Sequence, residues 1–253
     1  MIALDDIGMR FGERRVLKNL SLEVARGEFA ILFGASGSGK TLLLSILAGL
    51  EKPTSGRVLI GGLDMTRVAP EHRPVTLVFQ RHALFPHLTV FENIAFSLRA
   101  RHAHRGVVRE RVGELMALTG LEEYAHARPD VLSGGQCQRV AFARALASDA
   151  EVVLFDEPLS SLDNGLKAGL MSELKRLHRM KPFTALYVTH NLEEASALGE
   201  RVYLLEHGRV TRSCLPCELQ GCVDGRSAAD LNEPQESAII RAEGKRSLIA
   251  CGR

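Results

Sequence analysis

The octapeptide at residues 34–41, GASGSGKT, constrains the fold of this chain more than any other stretch. It follows an apolar run of strand length, Phe29–Phe33, and opens a helical pattern that begins near Lys40. In such a context a glycine-rich turn lets successive backbone N–H groups point inward around phosphate oxygens, and the helix start adds the positive end of its dipole. We predict a phosphate-binding loop formed by Gly34, Ala35, Ser36, Gly37, Ser38, Gly39, Lys40 and Thr41. The alternative is a glycine-rich turn that binds nothing.

The last two residues of the loop indicate which phosphate compound it binds. Lys40 would place a positive charge between the β- and γ-phosphates of a nucleotide, and Thr41 would offer a hydroxyl to Mg²⁺. We therefore predict a nucleotide with β- and γ-phosphates, together with Mg²⁺, as the ligand.

Further apolar runs of strand length predict the rest of the core. They are Val75–Phe79, Val152–Phe155, Ala185–Val188 and Val202–Leu205. Near-continuous apolar strands that alternate with helical patterns are typical of an α/β domain with a mostly parallel sheet. His207 and Gly208 indicate a closing hairpin turn. The stretch from about 81 to 135 contains no convincing strand and is interpreted as a helical insertion.

Two adjacent carboxylates end the strand predicted at Val152–Phe155. Asp156 would hold Mg²⁺ beside the phosphate loop. We expect the pleat of the strand to turn Glu157 to the opposite side, where it would polarise a water for attack on the γ-phosphate. The alternative is a solvated acidic pair without a function.

Polar residues also follow two other predicted strands. Gln80 comes directly after Val75–Phe79, and His190 comes shortly after Ala185–Val188. Because the carboxyl ends of parallel strands share one edge of a sheet, we expect Gly34, Gln80, Asp156 and His190 to converge. His190 would then sense the γ-phosphate, although taken alone it would be interpreted as a capping or core histidine.

A second glycine cluster, LSGGQ, stands before another helical pattern. A serine and glycines at a helix start form an anion site, here from Ser133, Gly134, Gly135 and Gln136. The chain has one phosphate loop, so the ligand of this second site would be a phosphate held by another copy. The alternative is a plain serine N-cap.

Together with SSLD at residues 160–163, these motifs resemble those of the ATP-binding subunits of ABC transporters. The resemblance covers residues 1–212 and implies an α/β fold of the P-loop NTPase class, of the ABC ATPase type. Its mostly parallel core sheet would be joined by an antiparallel β subdomain and an inserted helical subdomain. It implies a core at 1–80 and 136–212, a helical subdomain at about 81–135, and a short extension at 213–253.

The resemblance also implies roles for individual residues. Catalysis would involve Glu157, His190, Gln80 and Lys40, and Mg²⁺ would be held by Thr41, Gln80 and Asp156. Phe11 matches the aromatic residue that stacks on adenine; the alternative is a packing residue near a sheet edge. In a head-to-tail dimer, Ser133 and Gly135 would bind the γ-phosphate of the partner's ATP. Asp163 would lie in the loop that links the two sites.

The residues around Gln80 and the run EPLSSLD narrow the resemblance to bacterial importers of polyamines, metal ions, oxyanions or sugars. The partners implied are a second copy, integral membrane permease subunits and an extracytoplasmic solute-binding protein. The resemblance implies ATP hydrolysis that powers solute import; an exporter subunit or an ABC-type ATPase outside transport are the alternatives. About 40 residues follow Val210, which we expect to be too few for the regulatory domain that many such importers carry.

Composition excludes several other classes of protein. The chain has 253 residues, 45% hydrophobic and 25% charged, with a net charge of +2, which gives no indication of nucleic-acid binding. No apolar stretch reaches the ~20 residues of a membrane span, and the N-terminus does not resemble a signal peptide. We therefore expect the chain in the cytosol unless a partner holds it at a membrane. The resemblance implies such partners, and with them a peripheral position on the cytoplasmic side of the inner membrane. The five cysteines are interpreted as reduced thiols; metal ligation by Cys214, Cys217 and Cys222 is the alternative.

Overall fold

The computed structural model describes residues 1–80, 83–148, 150–160, 162 and 164–223. The strands among them are β1 Ile2–Phe11, β2 Arg14–Val24, β3 Phe29–Phe33, β4 Ser55–Ile60, β5 Leu63–Asp64, β6 Val75–Val78, β7 Val152–Asp156, β8 Thr184–Thr189, β9 Arg201–Glu206 and β10 Arg209–Cys214. The helices are α1 Lys40–Ala48, α2 Val90–Ala100, α3 Arg105–Thr119, α4 Gly134–Ala147, α5 Asn164–Met180, α6 Leu192–Leu198 and α7 Leu219–Val223.

The five apolar runs form one sheet, as predicted. Its strand order is β10-β9-β3-β8-β7-β6, and neighbours from β9 to β6 pair in parallel. Every residue of β7 and β8 is buried, which explains why these strands are apolar without alternation. Because β3, β8, β7 and β6 pair in parallel, their carboxyl ends lie at one edge of the sheet. The predicted site residues lie at or shortly after these strand ends.

A smaller antiparallel sheet, β2-β1-β4-β5, packs on the same core. The residue pattern alone did not locate its strands. In β1 a register shift between Leu4 and Ile7, with Asp6 at φ 50°, breaks the alternation. Because of this bulge, Leu4 and Ile7 are both buried although they are three positions apart. Helix α1 fills the space between the two sheets with its leucines, Leu43 among them.

The insertion is helical, as predicted: α2 and α3 lie within it, and the described residues of 81–135 contain no strand. A separate apolar cluster joins these helices to α4. Helix α4 is buried on two faces, because Val140 and Ala143 pack in this cluster while Phe142 packs under the sheet. The predicted start of the second core segment at residue 136 thus falls in the first turn of a helix shared by both subdomains.

The predicted hairpin turn at His207 and Gly208 joins β9 to β10, with φ of 49° and 78°. Strand β10 continues to Cys214, so the predicted boundary at residue 212 lies inside it. Beyond it, Leu219 and Cys222 of α7 pack into the cluster under the large sheet. The rest of the predicted extension, 224–253, lies outside the described residues.

None of the helices in the described part of the chain combines the length and the apolar character needed to cross a bilayer.

Candidate functional site

The loop between β3 and α1 has the backbone that a phosphate cradle requires. Gly37 and Gly39 have φ of 79° and 107°, and Gly39 is the N-cap of α1. No side chain caps this helix start, so its N–H groups remain for an anion. A Cβ at Gly34 would lie 2.5 Å from the carbonyl oxygen of Leu205 on β9. The loop therefore fits against the sheet only with glycine at this position.

Two polar side chains of the loop lie inside it. Lys40 is 4% exposed, and its Nζ donates to the carbonyl oxygens of Gly34 and Ala35 at 2.8 and 2.9 Å. Ser38 Oγ is buried and has no hydrogen-bond partner among the described residues. A buried hydroxyl without a partner is uncommon in proteins and fits a phosphate oxygen as its acceptor.

Thr41 and Asp156 meet although they are 115 positions apart: Thr41 Oγ1 donates to Asp156 Oδ1 at 3.0 Å. Asp156 ends β7 and is 9% exposed. Burial raises the pKa of its carboxyl, while the hydrogen bond from Thr41 acts in the opposite direction. A hydroxyl and a carboxylate are hard oxygen ligands that suit Mg²⁺, which takes its other ligands from phosphates and water.

Glu157 reaches the same site for a different reason from the one we expected. Strand β7 ends at Asp156, so the pleat does not extend to Glu157 and the alternation argument was wrong. Instead, Glu157 has a left-handed backbone with φ 42°. Its Oε1 lies 3.4 Å from Lys40 Nζ and its Oε2 lies 3.0 Å from His190 Nδ1. Strained backbone of this kind is concentrated at functional sites.

His190 belongs to this cluster and is neither a core residue nor a cap. Its side chain is 52% exposed and faces Glu157. The N-cap of α6 is the next residue, Asn191.

Among the described residues, Gln80 joins the cluster only through another side chain. Its Nε2 donates to Ser160 Oγ at 3.0 Å, and Ser160 Oγ donates to the carbonyl oxygen of Glu157 at 2.8 Å. No hydrogen bond between described residues links Gln80 to Thr41 or Asp156. Sequence reasoning missed Ser160 as this link, although it stands in the SSLD run.

The LSGGQ residues lie at the surface, at the start of α4. Ser133 and Gly134 are exposed, and Ser133 forms a reciprocal capping box with Gln136, at 3.3 and 2.8 Å. Gly135 is buried beneath Leu166 of α5; a Cβ there would approach Leu166 to 2.8 Å. Within one copy Ser133 thus acts as an N-cap, and no described hydrogen bond joins this segment to the loop at 34–41.

Phe11 ends β1, where it pairs with Arg14 of β2, and its side chain is 53% exposed. The adjacent strand β2 lies over the loop: a Cβ at Gly39 would meet Leu17 at 2.8 Å. Asp163 lies outside the described residues.

A cavity of about 500 Å³ borders the loop. Its lining includes Gly34, Ala35, Ser36, Gly37, Ser38 and His190. Loop and histidine therefore face a common space, as the topology of the sheet predicts.

A sequence profile of the ABC transporter family matches residues 17–160. The spermidine/putrescine import ATP-binding protein PotA of Thermotoga maritima is 45% identical over 218 residues, covering 86% of this chain and 59% of the relative. PotA of Rubrobacter xylanophilus is 42% identical over 98% of this chain and 67% of the relative. The Fe(3+) ions import ATP-binding protein FbpC of Brucella abortus is 44% identical over 86% of this chain and 62% of the relative. The chain spans about three fifths to two thirds of the length of these relatives.

Two solved structures have the same fold. The dimeric structure of the bacterial ABC transporter cassette MJ0796 matches with a TM-score of 0.76 and 34% identity, over 85% of this chain and 99% of that one. A post-hydrolysis state of the same cassette, bound to ADP and Pi, matches with a TM-score of 0.73. The P-loop fold, the motif order and these likenesses agree, and the chain belongs to the ABC transporter family.

Proposed function

We propose that this chain binds MgATP and hydrolyses it to power solute transport through separate membrane subunits. One observation carries the proposal: at a single sheet edge Thr41 contacts Asp156, and Glu157 contacts both Lys40 and His190. The relatives are named import ATP-binding proteins, and a similar cassette binds ADP and Pi.

The loop would hold the triphosphate through its backbone N–H groups, with Ser38 and Lys40 as side-chain donors. Lys40 Nζ donates to two loop carbonyls and lies 3.4 Å from Glu157, so its three N–H groups are engaged. It would exchange part of these contacts for contacts to the β- and γ-phosphates. Thr41 and Asp156 would hold Mg²⁺, which neutralises phosphate charge, with Gln80 as a further ligand. Phe11 would stack on adenine.

Glu157 would act as the general base that accepts a proton from the attacking water. His190, on the far side of its carboxylate, would contact the γ-phosphate and orient Glu157. Gln80, tied to the backbone of Glu157 through Ser160, would respond to the same phosphate.

A second copy would complete the site. Ser133 and Gly134 are exposed at the start of α4, where N–H groups and the helix dipole attract an anion. A similar cassette is dimeric. We propose a head-to-tail dimer in which Ser133, Gly134, Gly135 and Gln136 cover the ATP held by the partner's loop, with Asp163 in the loop between the two sites.

The permease subunits would dock in a groove between the sheet and the helical subdomain. This groove, about 390 Å³, is lined by Phe79, Phe85 and Phe96, with Arg144 stacked on the ring of Phe85 at 5.6 Å. Phe79 and Phe96 are 41% and 44% exposed, which favours burial by a partner. The chain would then be peripheral, on the cytoplasmic side of the inner membrane.

The relatives' names favour import over export. They suggest a polyamine or a metal ion as the solute. We propose an oxyanion as a further class of solute and an extracytoplasmic solute-binding protein as the third partner.

Phosphate release by the purified chain tests the proposal. We expect turnover of ATP that requires Mg²⁺ and is lost in Thr41→Val, which keeps the side-chain shape but removes the hydroxyl. Ser45→Ala, one turn further along α1, is the matched control and should retain turnover. A wild-type chain that releases no phosphate, or a Thr41→Val chain with unchanged Mg²⁺ dependence, would contradict the proposal.

A further inference from the structure

Glu194 is a buried carboxylate that the proposed reaction does not use. It is the third residue of α6 and is 3% exposed. Burying a carboxylate is unfavourable unless several donors compensate it, so its surroundings need an explanation.

One oxygen of Glu194 accepts two hydrogen bonds from β8. Tyr187 Oη donates to Oε2 at 2.9 Å, and Thr189 Oγ1 donates to the same atom at 2.8 Å. The other oxygen lies 3.9 Å from Lys167 Nζ on α5. Glu194 therefore connects three elements that meet behind His190.

Thr189 and Asn191, the residues before and after His190, are hydrogen-bonded to each other. Thr189 Oγ1 accepts a hydrogen bond from the backbone N–H of Asn191 at 3.0 Å while it donates to Glu194. The residues before and after His190 are thus tied together through one hydroxyl, whose direction Glu194 fixes.

The same segment is tied to the phosphate loop and to the proposed base. The carbonyl oxygen of Thr189 accepts from Gly34 N at 3.4 Å, and that of Val188 accepts from Glu157 N at 3.1 Å. A shift of Thr189 would therefore move His190 relative to both Glu157 and the loop.

We infer that Glu194 is a positioning residue for ATP hydrolysis: through Thr189 and Tyr187 it holds His190 in place against Glu157. The inference rests on the proposed function. Glu194 contacts Tyr187, Thr189 and Lys167 and is not among the residues proposed to hold the nucleotide. It would therefore affect the rate of the chemical step and not the affinity for ATP. Misplacement of a catalytic group by about 1 Å costs up to a hundredfold in rate.

Steady-state hydrolysis by the full chain tests this inference. Glu194→Gln keeps the shape of the side chain but replaces one carboxylate oxygen by an NH₂ group. This group is a hydrogen-bond donor, and it would face the donors of Tyr187 and Thr189 or that of Lys167. We expect kcat to fall roughly tenfold, with KM for ATP within about twofold of the wild type. Glu193→Gln, on the exposed side of the same turn, is the matched control and should change kcat by less than about twofold.

A double-mutant cycle with His190→Ala separates positioning from a purely structural role. If Glu194 acts through His190, the loss caused by Glu194→Gln disappears in the His190→Ala background. An equal loss in both backgrounds, or a raised KM with unchanged kcat, would overturn the inference.

Thr189→Val supplies a second route if Glu194→Gln does not fold. This substitution removes the hydroxyl that links Glu194 to Asn191. We expect it to lower kcat in the wild-type background but not in the His190→Ala background. A loss of kcat that persists in the His190→Ala background would overturn the inference. A wild-type chain without hydrolysis, or His190→Ala with full turnover, would instead show that the proposed function is wrong.

Discussion

His190 Nδ1 lies 3.0 Å from Glu157 Oε2, although the two residues follow different strands of the sheet. Glu157 comes after β7 and His190 after β8, and these strands are neighbours. The register therefore brings a carboxylate and an imidazole together at the edge where the phosphate loop begins. This pairing is the basis of the first prediction.

Replacing Glu157 by Gln removes the proposed base but keeps the shape of the side chain. We expect turnover to fall by about 10²–10⁴, because general base catalysis contributes an effect of this size. ATP binding should remain, since loop and Mg²⁺ ligands are intact. Single-turnover phosphate release and a nucleotide titration measure the two quantities.

The control is Glu151→Gln. Glu151 is exposed and directly precedes Val152, the first residue of β7, at the end of the strand away from the site. It should leave turnover unchanged. Hydrolysis by the Glu157→Gln chain at the wild-type rate would show that Glu157 is not the general base.

Lys40→Ala should weaken nucleotide binding roughly 10–100-fold, because charge-assisted hydrogen bonds to phosphate are among the stronger polar contacts. It also removes the donor that joins the carbonyl oxygens of Gly34 and Ala35. Calorimetric titration with ATP measures the change in affinity. Lys52→Ala is the control, because Lys52 is an exposed lysine that follows α1. Unchanged affinity in Lys40→Ala would contradict the assignment of the phosphate loop.

Arg73 stabilises the helix that follows the loop. It is 4% exposed and its Nη1 donates to the carbonyl oxygens of Ile46 and Leu47 at the end of α1, at 2.7 and 2.8 Å. Burial lowers the pKa of its guanidinium. Arg73→Met removes the guanidinium from both carbonyls: Ile46 keeps the backbone N–H of Gly49 at 3.1 Å, while Leu47 loses its side-chain donor. We expect a loss of about 2–3 kcal/mol in the free energy of unfolding.

Such a loss corresponds to a Tm lower by roughly 5–10 °C for a domain of this size. Thermal unfolding followed by circular dichroism measures it. The exposed Arg67→Met is the control. An Arg73→Met chain as stable as the control would show that the hydrogen bonds of Arg73 to the end of α1 do not stabilise the fold.

The cysteines of the C-terminal segment should differ in reactivity. Burial and the neighbouring Cys222 raise the pKa of Cys214 to about 12, so its thiol is protonated at pH 8 and reacts slowly. Cys217 is exposed. We expect iodoacetamide to modify Cys217 at least about tenfold faster than Cys214, with the difference narrowing as the pH rises towards 12.

Peptide mass spectrometry over a time course measures both rates, and Cys217→Ser provides the control. Equal rates at pH 8 would contradict the burial of Cys214. Stoichiometric zinc together with protection of Cys217 would favour the metal-ligand alternative.

Features whose cause is local were predictable from the sequence. The phosphate loop depends on its own glycines, and β7 and β8 are buried on both faces, so their apolar runs identify them. The convergence of Asp156 and His190 followed from the rule that parallel strands share an edge. Each inference needed only a short segment and a general property of sheets.

Features set by long-range contacts were not predictable. The bulge at Asp6 hides the alternation of β1, and the left-handed backbone of Glu157 replaces the pleat that we used to orient it. Glu194 stands beside another glutamate and resembles a solvent-facing charge until the fold brings Tyr187, Thr189 and Lys167 around it.

Association of the Glu157→Gln chain tests most directly whether ATP is enclosed between two copies. Sedimentation velocity should show one copy without nucleotide and two copies with MgATP, because this variant binds ATP without consuming it. Ser133→Asp keeps a good N-cap for α4 but adds a negative charge against the γ-phosphate, so it should remain a single copy, whereas Ser133→Thr should pair. A Glu157→Gln chain that stays single at saturating MgATP, or a Ser133→Asp chain that pairs equally well, would contradict the account.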